Sequence, residues 1–253
     1  MNRTTRKRLE RLLEQANREL EKEPGNDLAA VATRVDMRQY ALTLSLLQAG
    51  ETGPEMAMAL VRELRDATTA SYEAANTIMG NRRVDCRTQC SWCCREPLQV
   101  SPLDAVLVAS SLLDRSEYWA SRLLSYKVPD RTGTVLKRNF TPCPFLGENQ
   151  LCQVYDARPV ICRAFHSTDV AVCKQRVEHP DGSRSVPMHM ELFGFTGLPM
   201  EGAHRALDEA GIDRRPVVLG LAVRVLLEDF AGVTRRWLDG EASVWSEVAV
   251  LKQ

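Results

Sequence analysis

The residues best equipped for chemistry in this 253-residue chain are its eight cysteines, all of which lie between Cys86 and Cys173. The first four read Cys86-x3-Cys90-x2-Cys93-Cys94. Gaps this short let neighbouring thiolates converge on one ion or cluster from a tight loop. Adjacent side chains such as Cys93 and Cys94 normally point apart, so they either serve two metals or one of them bridges. The second set is wider: Cys143 followed by Pro144-Phe145-Leu146, Cys152 followed by Val154 and Tyr155, then Arg158-Pro159-x2-Cys162-Arg163, and finally Cys173. Four and four invite two sites of four thiolates, and the spacing allows interleaved ligation equally. All eight are candidate metal ligands.

Which metal is less determined. Zinc and iron–sulfur centres both accept four thiolates in a tetrahedral array. The second set lacks a clean CxxC pair, so iron, alone or as an iron–sulfur cluster, is slightly favoured, with zinc as the alternative. The Cx3CxxC spacing also occurs in enzymes that leave one iron of a cluster open to S-adenosylmethionine. Those enzymes need a parallel α/β barrel, and this chain has almost no strand signal. A four-thiolate site carries a net charge of about minus two, which calls for nearby donors and cations. Arg82, Arg83, Arg87 and Arg95 flank the first cluster, and Arg158 and Arg163 the second. His166, four residues past Cys162, fits a supporting role better than ligation. His179, His189 and His204 have no cysteine partner nearby in sequence. Tyr155 is expected to pack with Phe145 and Phe165, and Trp92 either shields the metal or is core.

Taken together, the Cys86–Cys94 cluster, the Cys143-Pro144-Phe145-Leu146 block and the run Cys152-x-Val154-Tyr155-x2-Arg158-Pro159-x2-Cys162-Arg163-x-Phe165 resemble the CxxCxxCC cysteine-cluster family, described as zinc- or iron-chelating. The resemblance implies a ligand role for Cys86, Cys90, Cys93, Cys94, Cys143, Cys152 and Cys162, and less directly for Cys173. A related cluster occurs in flagellin lysine N-methylases, so protein methylation is one activity the resemblance implies. Nothing in the chain identifies a methyl-donor pocket.

The elements that must position these thiols are mostly helical. Residues 1–81 read as three helices: one to about Lys22, one over about 28–48, and one from Pro54 to about Met79. Residues 82–187 form the cysteine module. It contains a helix capped by Ser101, with Pro102 in its first position and Asp104 completing a capping box. A second helix covers about 117–126, a knuckle turns at Gly147, Glu148, Asn149 and Gln150, and a weak hairpin turns at Asp181-Gly182. Residues 188–253 begin with a Met- and Phe-containing loop over 188–200, in which Glu191 and Glu201 show no paired-carboxylate logic. Helix returns from about Pro199 to a stop at Gly211, again near Pro216 with Leu219, Val223, Leu226, Leu227 and Phe230 on one side, and again over about 229–237. Trp245, Val248 and Leu251 close the chain. The expected fold is mainly α: helical N- and C-terminal arms around a cysteine-rich, irregular metal-binding module with short β-hairpins, packed as one globule.

Composition sets the outer bounds. Lys+Arg and Asp+Glu are both 33, so the formal charge is zero. A general nucleic-acid binder needs surplus positive charge, so none is expected as a partner. No window approaches the roughly 18 apolar residues of a membrane span, and the N-terminus lacks a secretory apolar core. A cytoplasmic location is therefore expected, where thiols stay reduced and structural disulfides are rare. No G-x-G-x-x-G, P-loop or nucleophile triad is present. Three function classes remain: a metal-stapled binding protein, whose helical arms offer a surface for a protein partner; a metalloenzyme or redox protein acting on another protein; and a metal carrier.

Overall fold

Proline and glycine punctuate the helices where their backbone chemistry demands it. Pro54 opens a 25-residue helix because its fixed φ suits the first turn and its absent N–H is not needed there. Ser101 accepts the Leu103 N–H ahead of Pro102 and starts another in the same way. Gly211, with φ 71°, stops a third, the Ile212 N–H returning to the Leu207 carbonyl and the Gly211 N–H to Asp208. That is a Schellman ending, which requires the left-handed conformation glycine adopts freely.

The computed structural model describes residues 28–49, 53–80, 82–95, 98–126, 142–179 and 185–249, with Lys7, Arg11, Glu14 and Arg18 as isolated positions. The expected first helix, apart from those four, the hairpin at Asp181-Gly182 and the contribution of Leu251 lie outside the described residues. Nine helices occur among the described residues: α1 (Leu28–Leu47), α2 (Pro54–Ile78), α3 (Pro102–Ser110), α4 (Ser116–Leu124), α5 (Val160–Ala164), α6 (Val170–Glu178), α7 (Met190–Glu209), α8 (Leu219–Glu228) and α9 (Phe230–Leu238). The fold is mainly α, as the sequence indicates. The one described sheet pairs β1 (Gln99–Val100) antiparallel with β2 (Val217–Val218).

The chain divides into two compact units. The first comprises residues up to Arg82, Met190–Arg214 and Ala231–Val244. Here α7 packs along both α1 and α2, and Leu44, Leu60, Leu64, Ala75, Leu192, Ala206 and Leu207 are buried. The approach of α7 to α1 is close at Gly202, where an added Cβ would stand 2.3 Å from the Asp36 carbonyl oxygen. Pro199 sits inside α7 and cannot donate to the Phe195 carbonyl four residues back. Ser71 of α2 supplies the lost bond, its hydroxyl donating to that carbonyl at 2.6 Å. This bond explains one departure from expectation. The 188–200 segment is not a loop; helix begins at Met190 and passes through the proline, because a neighbouring helix satisfies the freed acceptor.

The second unit comprises Arg83–His189, Arg215–Phe230 and the segment from Trp245. Its apolar heart is α3, in which every residue from Pro102 to Ala109 is buried, with α8 packed beside it and α4 packed against α8. Gly220 of α8 lies against the Tyr126 ring so closely that a Cβ would be 2.6 Å from it. Trp119 of α4 meets Phe145 of the knuckle with ring centroids 5.5 Å apart. Tyr126, Leu219 and Gly220 line a small cleft together with Cys143.

Candidate metal centre

The knuckle forms for a local reason. Pro144 has no N–H, so the amides of Phe145 and Leu146 are the first after Cys143 that can turn toward its sulfur; both partly offset the rise that burial gives this thiol, and the Leu146 N–H closes the turn on the Cys143 carbonyl at 3.0 Å. The chain then turns at residues 147–150, the Gln150 N–H donating to the Gly147 carbonyl at 3.0 Å, and returns so that Leu146 bridges Cys152. Cys152 accepts from the Val154 N–H in the same manner. Amides gathered on sulfur in this way are what a ligating thiolate requires. Gln150 takes φ 62°, unusual for a non-glycine residue. Its side chain offsets that cost by accepting the Ser91 hydroxyl at 2.7 Å and Arg95 at 3.3 Å, which ties the knuckle to the first cysteine loop.

The first loop is held from both sides. Its 3₁₀ turn, Trp92–Arg95, carries Cys93 and Cys94. On one side the Cys143 N–H donates to the Cys94 carbonyl at 2.7 Å. On the other, α6 with Cys173 packs against the turn. Cys86 is fixed through Ser167, whose N–H donates to the Cys86 sulfur at 3.3 Å while its carbonyl accepts the Asp85 N–H at 2.8 Å.

Electrostatics groups the thiols. Cys86 is raised above the usual thiol range by burial first, then by the charges of Cys90, Cys93 and Cys173. Cys173 is raised by burial, with Cys90 and Cys93 adding to it against the Ser167 hydroxyl. Cys143 is pushed up to about 12 by burial, with Cys152 and Cys93 contributing. Cys162 stands well above its ordinary value through burial and the charges of Cys143, Cys93, Asp104 and Cys152. Cys152 is raised by burial and by Cys93, and Arg158 opposes. Cys93 is raised first by its hydrogen bond with Cys94. The charge of Cys90 thus bears on Cys86 and Cys173, those of Cys143 and Cys152 bear on Cys162, and that of Cys93 bears on all five.

All eight cysteines are free thiols. As their side chains stand, no three of the described His, Cys, Asp or Glu residues are arranged to hold a metal ion. The donor chemistry still fits one. Thiols raised by mutual repulsion and burial become stable thiolates only beside a strong positive charge, and a bound cation reverses the local acidity. Cys86 and Cys93 keep part of their surface open to solvent, so an ion can reach them.

The flanking residues sort differently from one another. Arg158 lies over the Tyr155 ring at 3.7 Å, and its charge lowers both Cys93 and Cys152. Tyr155 is therefore an exposed platform for Arg158 and does not pack with Phe145. Arg163 clamps the chain entering α5, donating from Nε to the Arg158 carbonyl at 3.1 Å and also to the Asp156 carbonyl. Arg82, Arg83 and Arg87 are exposed. His166 is buried with both ring nitrogens engaged: Nδ1 donates to the Ala164 carbonyl and Nε2 accepts the His189 N–H at 2.8 Å. It stacks on His189 and braces the segment next to Ser167, with no nitrogen left for a metal. Asp104 caps α3 as expected, accepting the Ser101 N–H, but it also accepts the Val160 N–H at 2.9 Å. The signal for that second bond was legible: a helix apolar on every side is buried, and a buried carboxylate must find further donors.

Comparison with known proteins yields one match. Residues 85–181 match the family model CxxCxxCC, described as "Putative zinc- or iron-chelating domain". The matched stretch contains all eight cysteines and covers well under half of the chain. No curated protein and no solved structure matches.

Proposed function

We propose that the chain binds iron or zinc in a thiolate centre of two lobes joined at Cys93, and that the metal staples residues 83–95 onto the rest of the second unit. One lobe draws on Cys86, Cys90 and Cys173, the other on Cys143, Cys152 and Cys162, with Cys94 completing the junction. Iron, alone or as an iron–sulfur cluster, is slightly favoured over zinc. The observation that carries this reading is that the charge of Cys93 raises thiols of both groups, within a segment that matches a metal-chelating family model. When bound, the metal would supply positive charge and cross-linking. Cys143 and Cys152 would hold it with sulfurs already hydrogen-bonded by backbone amides, and Arg158 would offset residual negative charge on Cys93 and Cys152.

The test is metal and acid-labile sulfide analysis of anaerobically purified protein, with Cys93→Ser, Cys90→Ser and Cys162→Ser alongside. Cys90→Ser and Cys162→Ser are expected to lower metal content in part, and Cys93→Ser to lower it further than either. Full occupancy in Cys93→Ser would end the two-lobe reading. Iron with labile sulfide selects the cluster, and zinc alone selects a structural site.

The exposure of Cys86 and Cys93 favours a second reading, an open centre that exchanges its metal or acts on a partner. Rapid metal loss to a chelator with residues 82–95 still ordered would favour it over the staple.

A further inference from the structure

Asp104 is only 3% exposed, although it carries a carboxyl group. Capping α3 uses one of its bonds, and any acceptor at that position would serve. The second bond does something capping does not require. It reaches 56 residues along the chain to the N–H of Val160, the first residue of α5. Two residues later α5 carries Cys162, whose thiol is raised by the charges of Cys143 and Cys152.

A five-residue helix cannot hold itself together, because nucleation is unfavourable and it closes almost no internal hydrogen bonds. Its orientation must come from outside. On the side preceding it, Arg163 clamps the carbonyls of Asp156 and Arg158. On the side facing the core, the Asp104 bond at 2.9 Å fixes the first amide to α3, the most buried helix of the unit. We infer that Asp104 is a positioning residue for the metal centre: through the Val160 N–H it sets the turn that brings Cys162 beside Cys143 and Cys152. The inference rests on the thiolate-metal reading above.

The experiment uses the full chain, metal-free and anaerobic, titrated with Co(II), whose sulfur-to-metal absorption grows with the number of thiolates bound. Cys162→Ser gives the spectrum with that ligand deleted. Asp104→Ala removes the acceptor, and Val160→Pro removes the donor while leaving Asp104 in place. Proline is tolerated at the first helical position, and Pro159 at φ −50°, ψ 151° already has the extended backbone required before a proline. Both variants are expected to bind Co(II) roughly 10–100-fold more weakly and to show the reduced band of Cys162→Ser. Asp104→Asn keeps an acceptor at Oδ1 and is expected to restore most of the affinity and the full band.

Wild-type affinity and spectrum in both Asp104→Ala and Val160→Pro would overturn the assignment. So would an Asp104→Asn protein that folds yet binds as weakly as Asp104→Ala, since that outcome places the effect in charge. If Asp104→Ala does not fold, Val160→Pro and Asp104→Asn decide alone. A Cys162→Ser protein indistinguishable from wild type would instead bring down the metal reading, a distinct result.

Discussion

The first unit and the cysteine loop of the second are held by different forces. In the first unit, α1, α2 and α7 bury their apolar faces on one another, and Ser71, Thr68 and Ala75 let the backbones come close. Each buried leucine there contributes about 1.5–3 kcal/mol by leaving water. Between residues 82 and 95, by contrast, only Ser91 is buried. The hydrophobic effect gives that stretch almost nothing, so its order depends on hydrogen bonds from Ser167, Gln150 and Cys143 and, in our reading, on metal. Four of the eight thiols sit where apolar burial gives out, which is where an inorganic cross-link has the most to contribute.

The comparison breaks most directly on metal removal. A structural site of this kind contributes on the order of 10 kcal/mol. Chelation is expected to abolish amide protection over residues 82–95 and in the 143–152 knuckle while α1, α2 and α7 keep theirs. Hydrogen exchange followed by mass spectrometry reads both regions in one sample. Equal loss in both regions would mean that the first unit does not stand on its own packing. No loss in the loop would mean that hydrogen bonds alone order it.

The converse perturbation belongs in the first unit. Gly202→Ala places a Cβ 2.3 Å from the Asp36 carbonyl oxygen and 2.9 Å from the Tyr40 amide nitrogen, both backbone atoms that cannot step aside. Overpacking of this sort costs about 1–3 kcal/mol. The unfolding midpoint of the α1–α2–α7 core should fall accordingly, and metal content should stay at the wild-type value. Lost metal in Gly202→Ala would show that the two regions are energetically coupled.

How far each region was legible follows the same division. Helix starts at Pro54 and Pro102 and the stop at Gly211 were readable because each rests on the local backbone chemistry of one residue. The start of α7 was not, since Pro199 resembles a helix opening until Ser71, 124 residues away in sequence, is seen to satisfy the Phe195 carbonyl. The cysteines announced metal by type and clustering. Their grouping was hidden, because Cys173 joins Cys86 only through the Ser167 turn and the packing of α6. Spacing alone left open whether Cys93 or Cys94 bridges, and the facing charges favour Cys93. His166 was expected to support the site, and its bonds to Ala164 and His189 depend on a chain crossing that local sequence does not encode.

The smallest expected effect is acid sensitivity confined to the first unit. His204 on α7 is held down to about 4, by burial first and by the Arg214 charge second, with Asp208 opposing. An unfolded histidine titrates near 6.5. Between these values the unfolded chain takes up a proton that the folded chain refuses, so stability present above about pH 6.5 is lost as pH falls toward 4. Because the ring is only partly buried, the loss is on the order of 1–2 kcal/mol after solvent screening. Amide exchange in α7 should accelerate from pH 6.5 to 4.5 once corrected for intrinsic rates, and His204→Gln should flatten that dependence. An unchanged acid profile in His204→Gln would move the sensitivity to another group and remove acid as a means of loosening the first unit selectively.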